Sequence, residues 1–147
     1  MNEKNILFKK ALDLAENISY KVSPRPPVAA IVTQNGKIIG QGVTTINPLK
    51  HAEINAIDDA KKKLKSLDNC TLYSTLEPCF HTGHTGPCVD KIIESGIKKI
   101  IIGSIDPNPK VNNKSIDKLK NNKTDVELIN DNDLKKRSDN LIEPFKM

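Results

Sequence analysis

The 147-residue chain has the length of a single domain, and its 37% hydrophobic and 28% charged residues make a globular composition able to bury a core without disulfides. Its formal charge of +5 is Lys-heavy and scattered, and three Phe, two Tyr and no Trp offer too few stacking rings for a nucleic-acid surface. No apolar run approaches the ~18 residues that span a bilayer, and residues 1–5 lack the apolar stretch of a secretory leader, so a cytoplasmic protein without membrane or nucleic-acid partners is expected.

From Ile6, the positions Leu7, Ala11, Leu12, Leu14, Ala15 and Ile18 recur at helical spacing and predict a first helix, which Ser23-Pro24-Arg25-Pro26-Pro27 ends. Val28–Thr33 and Lys37–Val43 are apolar-rich runs joined through Asn35-Gly36, a pair suited to the positive φ angles of a tight turn, and predict an antiparallel hairpin. A second helix is predicted from about His51 through Ala52, Ile54, Ala56, Ile57, Ala60 and Leu64, with His51 and Glu53 in its first turn. Lys61, Lys62, Lys63 and Lys65 read as its solvated face.

Cys70–Leu76 reads as a buried strand, Pro87–Ser95 as a helix ended by Gly96, and Lys98–Ser104 as a further strand carrying Ile100-Ile101-Ile102. Strand, helix and strand in that order predict a right-handed parallel crossover. A weak helix near Ser115–Lys120, a short strand around Val126–Ile129 and a last helix from Asp131 toward Leu141 follow. The expected architecture is one domain over residues 1–147: a three-layer α/β/α sandwich whose mixed five-stranded sheet starts with the hairpin and carries helices on both faces.

Three cysteines are an odd number, and beside a histidine in a reducing compartment they read as metal ligands before they read as a disulfide. His51, Cys79 and Cys88 offer one imidazole and two thiolates, a set that suits zinc and leaves a fourth tetrahedral position for water. Zinc brings the pKa of such a water toward neutrality and makes hydroxide available. Glu53, two residues from His51, is placed to flank the metal, take the water's proton and pass it to a ring nitrogen and a departing amine. Pro78 presets the backbone before Cys79. Cys70, at the start of an apolar strand, reads as core filler.

His51-Ala52-Glu53 followed by Pro78-Cys79 and Cys88 matches the signature of zinc-dependent nucleobase deaminases. Eight residues separate the cysteines here in place of the usual two, and the insertion, Phe80 to Pro87, is expected to bulge as a loop over the substrate mouth. His81 and His84 within it read either as solvated loop histidines or as substrate contacts. Asp106-Pro107-Asn108-Pro109 follows the Ile-rich strand, where parallel α/β sheets tend to bind ligands, though the same residues also make an ordinary turn.

With these motifs the chain resembles the deaminase domain of the riboflavin-biosynthesis bifunctional deaminase-reductases, within the cytidine deaminase superfamily, from about Phe8 to Phe145. The resemblance rests on Thr75-Leu76-Glu77-Pro78-Cys79 with eight residues before Cys88, on Glu94-Ser95-Gly96, and on Ser104-Ile105-Asp106-Pro107-Asn108-Pro109. It implies a cytidine-deaminase-type fold, a zinc cofactor, a homo-oligomer and a phosphorylated small-molecule pyrimidine as substrate. That substrate is the diaminopyrimidinone ribosylamine 5′-phosphate, which loses its ring 2-amino group as ammonia. Asp106 and Asn108 are then expected on its ribose-phosphate side, and His81 at the mouth. Members usually continue into an NADPH-dependent reductase, whereas Leu141 to Met147 looks like the end of the deaminase domain.

The chain departs from the family at Arg25 for Asn, Ala29 for Gly, Thr44 for His, and His84 for Lys or Arg, and Arg25 is the cation that can compensate at the phosphate. The alternatives are a zinc deaminase of a different base or nucleoside and a non-catalytic zinc-binding relative.

Overall fold

Asn2 accepts a hydrogen bond from Asn5 N (2.8 Å) and so caps α1 (Glu3–Ile18) three residues before the apolar spacing begins, with Glu3 complementing the helix start. The structure is a computed structural model and describes residues 2–46, 48–79, 88–107 and 113–145. After α1 come β1 (Ala29–Gln34) and β2 (Lys37–Val43), joined by Asn35 and Gly36 at φ 52° and 79°, the two positive angles the hairpin requires. β3 (Thr45–Ile46) and β4 (Leu49–Lys50) form a separate two-residue ladder, too short for any periodicity to announce. α2 (Ala52–Lys61) stops short of Leu64. β5 (Thr71–Leu76), α3 (Cys88–Ser95), β6 (Lys99–Ser104), α4 (Lys114–Asn121), β7 (Asp125–Leu128), α5 (Asn132–Ile142) and a 3-10 turn (Glu143–Phe145) follow.

The main sheet is mixed and five-stranded, in the order β2-β1-β5-β6-β7. β1 runs antiparallel to β2 and β5, while β5, β6 and β7 are mutually parallel. Alternation along the strands sorts the core into two layers. Ala30, Val32, Leu72, Ile100 and Ile102 face α2, α3 and α4. Ile31, Tyr73 and Ile101 face α1 and α5, where Phe8 and Leu12 are fully buried. The sandwich is therefore the expected one. None of the described helices is long and apolar enough to cross a membrane.

The seat of α2 matters most for the site. Ala52, Ala56 and Ala60 recur every fourth residue on the helix, all fully buried, and they meet Gly40 and Gly42 on β2. A Cβ on Gly40 would stand 2.6 Å from Ala56 O and Ala60 N, and one on Gly42 would stand 2.5 Å from Ala52 O. The helix backbone thus rests directly on the strand. Asn55 Nδ2 donates to Val43 O (2.8 Å) and Asp59 Oδ2 accepts from Gln41 N (3.0 Å), so helix side chains satisfy the outer edge of β2. At the other flank, Ser138 Oγ donates to Thr75 O (2.8 Å) and Ser104 Oγ to Asp139 Oδ1 (2.7 Å), which fixes α5 against the ends of β5 and β6.

Gly42→Ala is expected to lose about 1–3 kcal/mol of stability through overpacking against Ala52 and Ala56. Urea unfolding checks this, and an unchanged midpoint would contradict the close approach.

Candidate metal centre and active site

His51 is the residue that caps α2, not a member of its first turn as the spacing predicts: its backbone is extended (φ −78°, ψ 152°) and its carbonyl accepts from Asn55 N (3.1 Å). The extended backbone swings the imidazole away from the helix axis, and Nδ1 lies 2.9 Å from Cys88 Sγ. Glu53, on the first turn itself, remains on the same side and is only 4% exposed. A ligand on the cap and a carboxylate on the first turn can both face one point because the chain changes direction between them.

β5 delivers Cys79 through Glu77 and Pro78, and Cys88 is the first residue of α3. The Cys88 backbone N–H donates to Cys79 Sγ (3.0 Å), and Val89 N–H donates to Cys79 O (3.2 Å). Cys79 thereby satisfies two of the amides that a helix start leaves open. The donor atoms of His51, Cys79 and Cys88 all lie within 4.8 Å of one another. Ligands of one tetrahedral zinc, with bonds of about 2.0 Å to nitrogen and about 2.3 Å to sulfur, stand roughly 3.5–4 Å apart, so one imidazole and two sulfurs within 4.8 Å are the donor set for that ion with a fourth position left open, while the 2.9 Å between His51 Nδ1 and Cys88 Sγ is a hydrogen-bond distance that would widen by about 0.6 Å around the metal.

The charges here are strongly coupled. Cys79 Sγ accepts from the Cys88 thiol, from His51 and from the Cys88 backbone, and these bonds pull its pKa down to about 4 against the opposing effect of burial. The Cys88 thiol is pushed well up by donating to Cys79, by burial and by the neighbouring negative charges of Glu53 and Cys79. Although the ring nitrogen sits beside Cys88, the hydrogen bond to Cys79 does most to raise the pKa of His51, since Cys79 is the sulfur that ionises first; burial and the Arg25 charge oppose it. The protein's own groups thus favour one thiolate, and a dication at the centre favours the second. Burial, then the Cys79 charge, lift Glu53 from its ordinary 4.5 to about 7, with His51 opposing.

Of the substrate-side expectations, Arg25 is exposed but close enough for its charge to act on His51. Its loop is anchored by Ala29 N–H to Thr75 Oγ1 (3.1 Å) and by Thr44 N–H to Val28 O (3.0 Å). Asp106 lies just past the end of β6, half-buried, with its backbone N–H on Glu77 Oε1 (3.1 Å). His81, His84 and Asn108 lie outside the described residues, as does the loop between the cysteines. Cys70 is buried at 2% exposure, as a core residue should be. Sequence reasoning passed over Glu77 as a working residue. It is 2% exposed and holds Asp106, Asn113 and Ser115, and the available signal was a carboxylate at the end of an apolar strand, where burial obliges it to find donors.

Residues 1–104 match the family model for the cytidine and deoxycytidylate deaminase zinc-binding region. The chain is 47% identical over 107 residues to a diaminohydroxyphosphoribosylamino-pyrimidine deaminase of Buchnera aphidicola, covering 73% of this chain and 71% of that one. It is 42% identical over 126 residues to the riboflavin biosynthesis protein RibD of Aquifex aeolicus, which covers 86% of this chain but only 34% of that longer protein. The crystal structure of a Thermotoga maritima diaminohydroxyphosphoribosylaminopyrimidine deaminase and 5-amino-6-(5-phosphoribosylamino)uracil reductase superposes with a TM-score of 0.81 at 41% identity, over 92% of this chain and 38% of that one. The chain therefore spans about a third of the length of these two longer relatives.

Cys79→Ala and Cys88→Ala are each expected to abolish stoichiometric zinc, read by metal analysis of purified protein, and full occupancy in either variant would remove that cysteine from the ligand set. In chelator-stripped protein, ionising Glu53 costs stability as pH rises from 4.5 through about 7. Glu53→Gln should then be the more stable protein at pH 8 by about 3 kcal/mol, with the gain fading toward pH 4.5. Equal stability at both pH values would contradict the raised pKa.

Proposed function

The chain belongs to the family defined by the cytidine and deoxycytidylate deaminase zinc-binding region, and on that footing we propose that it hydrolyses the ring 2-amino group of the diaminopyrimidinone ribosylamine 5′-phosphate of riboflavin synthesis. Water adds its oxygen to the amine-bearing ring carbon, the C–N bond breaks, and ammonia leaves with the transferred protons. The observation that carries this reading is a buried carboxyl of raised pKa, Glu53, against three zinc-type donors. The substrate follows from the relatives above, one of which shares nearly half of the aligned residues.

His51, Cys79 and Cys88 are the residues that would hold zinc, which would polarise a water and lower its pKa toward neutrality. Glu53, buried beside the three donors, would accept that water's proton and return it to the ring nitrogen and the leaving amine. Burial of Glu53 behind the first turn of α2 keeps bulk water from competing for that proton. Arg25, whose charge reaches His51, and Asp106, whose backbone is tied to Glu77 two residues before Cys79, we assign to the substrate together with His81 and Asn108; Arg25 supplies the cation for the phosphate.

A second reading, the same chemistry on another ring, is favoured by Arg25 and Thr44. Thr44 stands where the resembled family has a His, and both its N–H and its hydroxyl point to Val28 O, at 3.0 and 3.4 Å.

Ammonia release from the ribotide, set beside cytidine, cytosine, guanine and deoxycytidylate, separates the two readings. Turnover confined to the ribotide is expected, and activity on another ring alone would favour the second. Glu53→Gln should keep zinc and lose about a hundredfold or more in kcat, whereas retained turnover would remove Glu53 from its role.

A further inference from the structure

We propose that Glu77 is a positioning residue for substrate binding, its carboxylate holding the loop after β6 in register with the metal-bearing end of β5. Glu77 is 2% exposed, and among the described residues it forms no ion pair. A buried carboxylate without a cation is costly unless donors surround it. Here the donors come from the segment after β6. Asp106 N–H and Asn113 N–H both reach Oε1, each at 3.1 Å, and Ser115 Oγ donates to Oε2 at 2.7 Å.

One oxygen therefore holds both the Asp106 and the Asn113 backbone amides. Asn113 takes a left-handed backbone (φ 61°) at the start of α4, a conformation uncommon for a residue with a side chain and tolerated best by Asn, while its N–H is directed at Glu77. The main chain of Glu77 joins in as well: its N–H donates to Ser104 O at 2.8 Å, the last residue of β6. Cys79 lies two residues further on. The same short segment thus carries a metal ligand at one end and the foot of the Asp106 loop at the other. Three donors converging on one buried side chain fix its direction as well as its distance.

The inference rests on the reading that Asp106 and its loop meet the ribose-phosphate side of the substrate. With zinc-loaded protein and the ribotide, Glu77→Ala should keep stoichiometric zinc and raise KM by about tenfold with little change in kcat, because the loop is misplaced and the metal centre is not. Glu77→Gln, which still offers Oε1 to both amides, should recover most of that loss. An unchanged KM, loss of zinc, or an equal effect of Ala and Gln would overturn the proposal.

Hydrogen exchange gives a measure that does not depend on the Ala variant folding. The amides of Asp106 and Asn113 should be protected in the parent protein, and exchange of both at the rate of free amides would overturn the clamp. Failure of the parent itself to turn over the ribotide would instead overturn the substrate reading, and the exchange rates would still decide the clamp.

Discussion

The Cys88 backbone amide donates to the Cys79 sulfur at 3.0 Å, and Val89 donates to the Cys79 carbonyl at 3.2 Å. Through these two bonds the end of β5 becomes the cap of α3, and two ligands that are nine positions apart in sequence share one corner of the site. The Cys88 thiol, then His51, and then the Cys88 amide at the helix start all donate to the Cys79 sulfur, so it is the one that ionises readily. α2 brings a second helix start to the same point, with His51 as its cap. The Cys79 thiolate and the Cys88 thiol thus sit between two positive helix ends, and the remaining architecture is arranged to hold those ends in place.

That holding is done by packing of small residues on one side and by polar bonds on the other. The Ala52, Ala56 and Ala60 stripe lying on Gly40 and Gly42 sets the height of α2 above the sheet, and hence the reach of His51 and Glu53. Ser138, Thr75, Ser104 and Asp139 tie α5 to the strand ends that lead into Cys79 and the loop after β6. The same enclosure that protects Glu53 from water makes its ionised form expensive in the metal-free protein.

Much of this was legible in the residues. Asn35-Gly36 announced the hairpin because few other pairs accept two positive φ angles, and Ile100-Ile101-Ile102 announced a strand buried on both faces. The zinc donors were legible because their chemistry is narrow: few sets other than a metal site place one His and two Cys with a carboxylate beside them. Less legible were features set by tertiary contact. β3 and β4 are two residues each, and no period shows in so short a run. His51 looked helical because Ala52 and the residues after it are good helix formers, yet a cap takes extended angles whatever follows it. Glu77 carried no periodic signal, since its role depends on a loop some thirty residues later folding back to it.

The central claim is that a single zinc is held by one imidazole nitrogen and two cysteine sulfurs with the fourth position open to water. X-ray absorption at the zinc edge of the purified, zinc-loaded protein tests it most directly. Two sulfurs at about 2.3 Å with two lighter nitrogen or oxygen neighbours at about 2.0–2.1 Å is the predicted shell. A shell of four protein ligands, or one without two sulfurs, would contradict the account, because the centre would then be closed or built from other residues.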